Sequence, residues 1–340
     1  MKIKNIYESI INRPDLWNYY NHDINAPVIT DTDDCYRFIT DYIIYSEKSK
    51  TVLIEALQNI KKRSPQRLSH IVSTFFFGLW LFHHKRNKFL YNRIINELIN
   101  LSCFQNDYDD IVRQFTFVWF MATLFHDLGY PAEEEGKPLP NIDVPYVGSV
   151  PDFYRYVYQN YYNYRRNSEH GIYAGLIFDR DICEIRRFQE CSDSDLGWKE
   201  ELEELYHYVA WIIMSHNIWL KRDNDNNIDE YRSYNLDLLI LSSTKTSDNR
   251  YMDYKIVFDE YPLFSFFCII DTIEPLKTSS CLSEIDIELQ KGKIIVKSND
   301  SEYRKKVLGL NEWLVPAIKK ENEITIYLNL NDRCKKDKKK

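Results

Sequence analysis

From about Ser64 to Ser280, apolar residues recur mostly three and four positions apart, the spacing that lines one face of a helix. The pattern predicts helices over Arg67–His83, Tyr91–Ser102, Asp109–Leu128, Glu169–Phe188, Glu200–Leu220 and Leu263–Leu276. Upstream, helices break at Pro14 and Pro27, and Thr32-Asp33-Asp34 offers a cap for a helix through Tyr36, Ile39, Ile43 and Ile44. Two stretches interrupt the helical period. Pro131 to Pro151 carries five prolines and reads as a long loop, and Lys221 to Arg250, rich in Asn, Asp and Ser, reads as an exposed excursion.

Beyond Cys281 the period falls to two. Ile285–Leu289 and Lys293–Lys297 alternate as strands around a Gln290-Lys291-Gly292 turn, followed by a helix from Ser301 to about Leu314 and a strand at Ile324–Leu328. The chain therefore reads as mainly α with a small C-terminal α+β appendage. The expected divisions are an N-terminal helical segment (1–60), a helical domain (61–280), the appendage (281–330) and a Lys-rich tail (331–340). Only 9 glycines in 340 residues disfavour turn-rich sandwiches and propellers, and 44% hydrophobic content is enough for a sizeable core.

Charge and cysteine content narrow the class. The net charge of −7 repels polyphosphate backbones, so extensive nucleic-acid binding is not expected. The seven cysteines form an odd set without CxxC spacing, and no stretch of about 18 uncharged apolar residues could span a membrane. No signal-peptide core opens the chain. A cytoplasmic protein with reduced thiols is expected.

The chemistry sits in few residues. The pair His126-Asp127 ends the apolar run Phe120-Met121-Ala122-Thr123-Leu124-Phe125. Neighbouring helical positions point about 100° apart, so at least one of the two must face the interior. His70, His170, His216 and Asp271 also sit among apolar residues on predicted helices. A satisfied core histidine or a cap aspartate explains any one of these. Five such sites on five helices are better explained together, by a cation that compensates converging imidazoles and carboxylates. His207 lies nine residues before His216, half a turn off that face, and with His22, His83 and His84 reads as a surface or structural histidine.

The order His70, His126-Asp127, His170, His216, Asp271 resembles the HD-domain superfamily of metal-dependent phosphohydrolases over about residues 64–280. The resemblance implies an HD-type helical bundle in which His70, His126, Asp127 and Asp271 hold one divalent ion. His170 and His216 would complete a second, with Asp127 bridging. Two divalent ions (Mn, Fe, Mg, Ni or Co) are the implied cofactors. Departures restrict the subfamily: Gly129-Tyr130-Pro131 lies too close to the pair for an HD-GYP protein, and Tyr130 stands where a lysine is expected. The run Ala132-Glu133-Glu134-Glu135 also differs from that of deoxynucleoside triphosphohydrolases.

The implied activity is hydrolysis of a phosphoester, in a nucleotide or related small molecule, by water that two ions make acidic. His126 and Asp127 would be the catalytic pair. Arg67, one turn before His70, and Lys137, Arg165 and Arg166 are candidate phosphate-binding residues, each of which also reads as a solvated charge. The aromatic segment Phe153–Tyr164 reads as a helix packed on the core rather than a lid. Two other readings stand: a di-iron oxygenase of the myo-inositol-oxygenase-like HD type, and a non-catalytic HD sensor or scaffold. A small phosphate ester is the expected partner, with no membrane, and the appendage is open to a homo-oligomer contact.

Overall fold

A computed structural model of the chain describes residues 1–18, 24–42, 47–101, 108–139, 152–166, 169–191, 203–216, 241–245, 252–256, 261–277 and 282–328. In chain order the elements are α1 (Ile3–Ile11), α2 (Thr32–Tyr42), α3 (Glu47–Arg63), α4 (Gln66–His83), α5 (Lys88–Leu101), α6 (Tyr108–Phe125), α7 (Tyr130–Glu135) and α8 (Asp152–Tyr164). There follow α9 (His170–Cys191), α10 (Glu203–Ser215), β1 (Leu241–Lys245), β2 (Met252–Ile256), α11 (Pro262–Ile273), β3 (Asp286–Gln290) and β4 (Lys293–Lys297). The last three are α12 (Ser301–Trp313), β5 (Ala317–Lys320) and β6 (Glu323–Tyr327). The molecule is mainly helical with a small C-terminal antiparallel sheet, as its periodicity predicts. No helix among the described residues is long and apolar enough to cross a membrane.

The chain forms two compact units that do not follow its linear order. One comprises residues 11–76 and 98–218; the other comprises 1–10, 77–97 and 219–340. The segments expected at 1–60, 61–280 and 281–330 are thus interleaved. The cause is visible at the N-terminus, where Ile3 N–H donates to the Ile285 carbonyl at 3.1 Å and Ile287 N–H to the Met1 carbonyl at 2.9 Å. The first residues belong with the last strands.

The helical unit is built around an aromatic core. Trp17 meets Phe76 edge to face at 5.4 Å between ring centroids, and Phe75 meets Phe120 at 5.2 Å and 87°. Such pairs contribute about 0.5–1.5 kcal/mol each beyond the apolar area they bury. Trp119 Nε1 donates to the Phe75 carbonyl at 3.0 Å, tying α6 to α4 by a bond that a phenyl ring could not make. In α8, Val157, Tyr158, Tyr161 and Tyr162 are buried, so this aromatic segment is a core helix.

In the mixed unit, the sheet has the order β3-β4-β6-β5, every neighbour antiparallel. Ile287, Leu289, Ile294, Val296, Ile324 and Ile326 are buried, the alternate positions that a one-sided sheet packs inward. The helix α12 covers that face with Tyr303, Val307 and Leu310. α11 is apolar on every side, and residues 262–271 are all buried, which marks a central helix. It stops at Glu274 because Pro275 disfavours a helical residue before it.

Three local expectations are corrected. Pro131 does not begin a loop but opens α7: in the first helical turn a proline lacks only an N–H that would find no partner there. Strands β1 and β2 pair from Leu241↔Ile256 to Lys245↔Met252, partly inside the stretch read as an exposed excursion. Strand β5, with the exposed pattern of Ile318, Lys319 and Lys320, had no alternation to reveal it. Residues 140–151, 217–240 and 329–340, with His22, lie outside the described set.

Candidate metal centre

The helix predicted to run through Leu128 ends at Phe125, and this makes the site. Residues 126–129 form a turn, with Leu128 N–H bonded to the Phe125 carbonyl and Tyr130 N–H to the Asp127 carbonyl. In a continuing helix His126 and Asp127 would diverge by about 100°. In the turn both are fully buried, at 0% exposure. α4 supplies His70, α9 starts with His170, and His216 follows the last turn of α10; all are buried.

Close helix approach is enforced by glycine. A methyl group on Gly129 would lie 2.0 Å from the His170 carbonyl oxygen, and one on Gly171 would lie 2.9 Å from the His216 ring. The absent side chains let the turn, α9 and α10 converge.

The distances define a cluster inside the helical unit. His126 Nε2 is 3.3 Å from His70 Nε2 and 3.2 Å from Asp127 Oδ1. Asp127 Oδ1 is 3.8 Å from His170 Nε2, and Oδ2 is 3.8 Å from His70 Nε2. One ligand atom each from Asp127, His170 and His216 lie within 4.8 Å of one another.

The imidazoles are held in one tautomer. Nδ1 of His126 lies 2.6 Å from the Thr123 carbonyl and Nδ1 of His216 lies 2.7 Å from the Ile213 carbonyl. Nδ1 of His170 lies 2.6 Å from Glu133 Oε2. Each of these partners can only accept, so Nδ1 carries a proton and Nε2 is the atom turned to the cluster. That is the arrangement by which outer hydrogen bonds aim histidines at a metal. Buried imidazoles with a carboxylate form a donor set suited to a divalent transition ion, and this group of residues could hold a metal.

Arg67 brings a positive charge to the cluster, donating from Nη1 to Asp127 Oδ2 at 3.0 Å. Its guanidinium lies 3.0 Å above the Tyr130 ring, which in turn stacks on the His170 ring at 3.6 Å and 20°. Burial opposes its charge, but Asp127 and Tyr130 outweigh burial and hold Arg67 above its ordinary pKa.

The other expected phosphate-binding residues stand apart. Lys137 is exposed and paired with Glu135 at 2.7 Å. Arg165 is exposed and bonded to Glu169 at 3.1 Å, and Arg166 is exposed in a left-handed conformation, φ 55°. Asp271 belongs to the mixed unit, where it is buried at the end of α11 and accepts from Lys277 Nζ at 3.0 and 3.1 Å.

Two contributions escape the sequence. Glu133 and Tyr130 reach His170 across 37 and 40 residues, and only the acidity of the run after Pro131 hinted at the first. Of the surface or structural roles expected for His207, the structure gives the structural one: it is fully buried, with Nδ1 2.6 Å from Asp179 Oδ1, and joins α10 to α9. His83 and His84 are half-buried. Compared with protein-family models, curated proteins and solved structures, the chain matches none.

Proposed function

We propose that this protein is a metal-dependent phosphohydrolase whose helical unit grips two divalent ions and cleaves a phosphoester of a nucleotide or a related small molecule. The supporting observation is the carboxylate of Asp127, buried with His126 and His170 beside one oxygen and His70 and Arg67 beside the other. A carboxylate with imidazoles near both oxygens would be able to serve two cations, which supports the reading. Burying a carboxylate is costly, and a cation would compensate it further than the Arg67 contact does. When bound, the ions would supply Lewis acidity toward a phosphoryl oxygen and lower the pKa of water.

The protein's own groups do the rest. His126 and His170 present Nε2 toward Oδ1 of Asp127 and His70 toward Oδ2, with His216 within reach of Asp127 and His170. Arg67 is the cation nearest the cluster. Its stacking on Tyr130 limits it to in-plane contacts, so it would exchange Asp127 for a phosphoryl oxygen as substrate enters. The resemblance adds Asp271 as a sixth ligand, an expectation that the metal content of an Asp271→Ala protein tests.

The test is elemental analysis of the purified chain joined to a phosphate-release screen of nucleotides, cyclic dinucleotides and simple phosphomonoesters with Mn, Mg, Co, Ni and Fe. The expected result is stoichiometric metal and phosphate release that a chelator stops. Iron with oxygen uptake and no phosphate release would establish the oxygenase reading instead. A chain that binds no metal on titration would leave the scaffold reading.

A further inference from the structure

The mixed unit carries a cleft of about 350 Å³ lined by Ser301, Arg304, Lys305, Leu308, Gly309 and Lys319. Five of these fall at positions i, i+3, i+4, i+7 and i+8 of α12, one stripe of the helix, and Lys319 comes from β5. Tyr303, Val307 and Leu310 are buried on the opposite face, so the sheet fixes the rotation of the helix and turns this stripe to the cleft.

The stripe has two chemically different ends. At the first, Arg304 is braced by a bond from Nη1 to the Ser298 carbonyl at 2.6 Å, while its Nε is enclosed and has no acceptor among the described residues. Lys305 and Lys319 add two ammonium groups. The ion pairs of the neighbouring strand, Lys297 with Glu288 and with Glu323, involve neither of them. None of the three has a carboxylate partner among the described residues, so together they reverse, locally, the sign of a chain of net charge −7.

At the other end, about 6 Å along the axis, lie Leu308 and Gly309. Gly309 is unusual in a glycine-poor chain. It sits inside a helix, where glycine is a poor choice, and a side chain there would meet nothing within 4 Å. Gly129 and Gly171 are forced by close neighbours; Gly309 is not, and its effect is to keep one end of the cleft open and apolar.

We propose that this cleft binds a phosphate-bearing small molecule of mononucleotide size, its phosphate on Arg304, Lys305 and Lys319 and its flat apolar part over Leu308 and Gly309. The site is independent of the metal centre. Calorimetric titration of the full chain bearing His126→Ala and Asp127→Ala, in chelator, with AMP, ATP, adenosine and inorganic phosphate separates the two ideas.

AMP and ATP should bind, adenosine should not, and inorganic phosphate should bind more weakly than AMP. Lys305→Glu with Lys319→Glu should weaken AMP binding about tenfold or more. Gly309→Leu should do the same while raising the melting temperature, because it fills open space with a better helix former. Absence of nucleotide binding, equal affinity for AMP and phosphate, or affinity unchanged in both variants would overturn the proposal.

Discussion

Glu133 Oε2 accepts the Nδ1 proton of His170 at 2.6 Å and the His170 backbone N–H at 3.3 Å, so one carboxylate fixes both the ring and the first residue of its helix. Glu133→Ala frees the ring to rotate. Metal affinity should fall about 10- to 100-fold by equilibrium titration, with Glu133→Gln losing less because its amide oxygen still accepts. Unchanged affinity in the alanine variant would make the contact merely structural.

His126 and Asp127 are fully buried in the turn after α6. His126→Ala and Asp127→Asn should each remove measurable phosphate release and lower bound metal, while circular dichroism stays helical. Normal turnover in either variant would end the proposed mechanism.

A methyl group at Gly129 would sit 2.0 Å from the His170 carbonyl oxygen. Backbone cannot yield as a flexible side chain can, so Gly129→Ala should cost about 1–3 kcal/mol or more in urea unfolding. At Gly171 a methyl group would meet both the His216 ring and the Ile213 carbonyl oxygen at 2.9 Å, so Gly171→Ala should weaken metal binding and the fold together.

Burial raises the Cys35 thiol from its ordinary 9.0 to about 12, and it raises Tyr162 as well. Both are neutral when protonated, so the folded state resists ionising them while the unfolded chain does not. Stability is therefore fully present below about pH 9 and lost as pH rises toward 12, by about 1.4 kcal/mol per unit for Cys35, with Tyr162 steepening the fall above its own ordinary value. Urea midpoints measured from pH 8 to 11 should fall, and Cys35→Ala should flatten the onset. A flat profile in the parent would contradict the burial of these groups.

Periodicity was sufficient for the long helices, because each has an apolar stripe to bury and little choice of face. It also singled out His70, His126, Asp127, His170 and His216, since polar groups stand out in apolar runs. What it could not convey was anything set by contact across the chain. Glu133 looks like one of three surface acids until α7 is placed beside α9. His207 is half a turn away from His216 and so falls outside a one-face argument, yet Asp179 awaits it on the neighbouring helix. Pro131 was misjudged because proline ends a helix from within but suits its first turn.

The pairing of residues 1–3 with residues 285–287 has a bearing on how the polypeptide is made. During vectorial synthesis this segment emerges long before its strand partners, and α1, with Ile3, Ile6, Tyr7 and Ile10 on its buried face, then lacks its pairing with β3. Closure of that unit is consequently a late event, awaiting translation of β3 and the turn before it. A nascent chain arrested ahead of residue 285 would expose this stripe to chaperones.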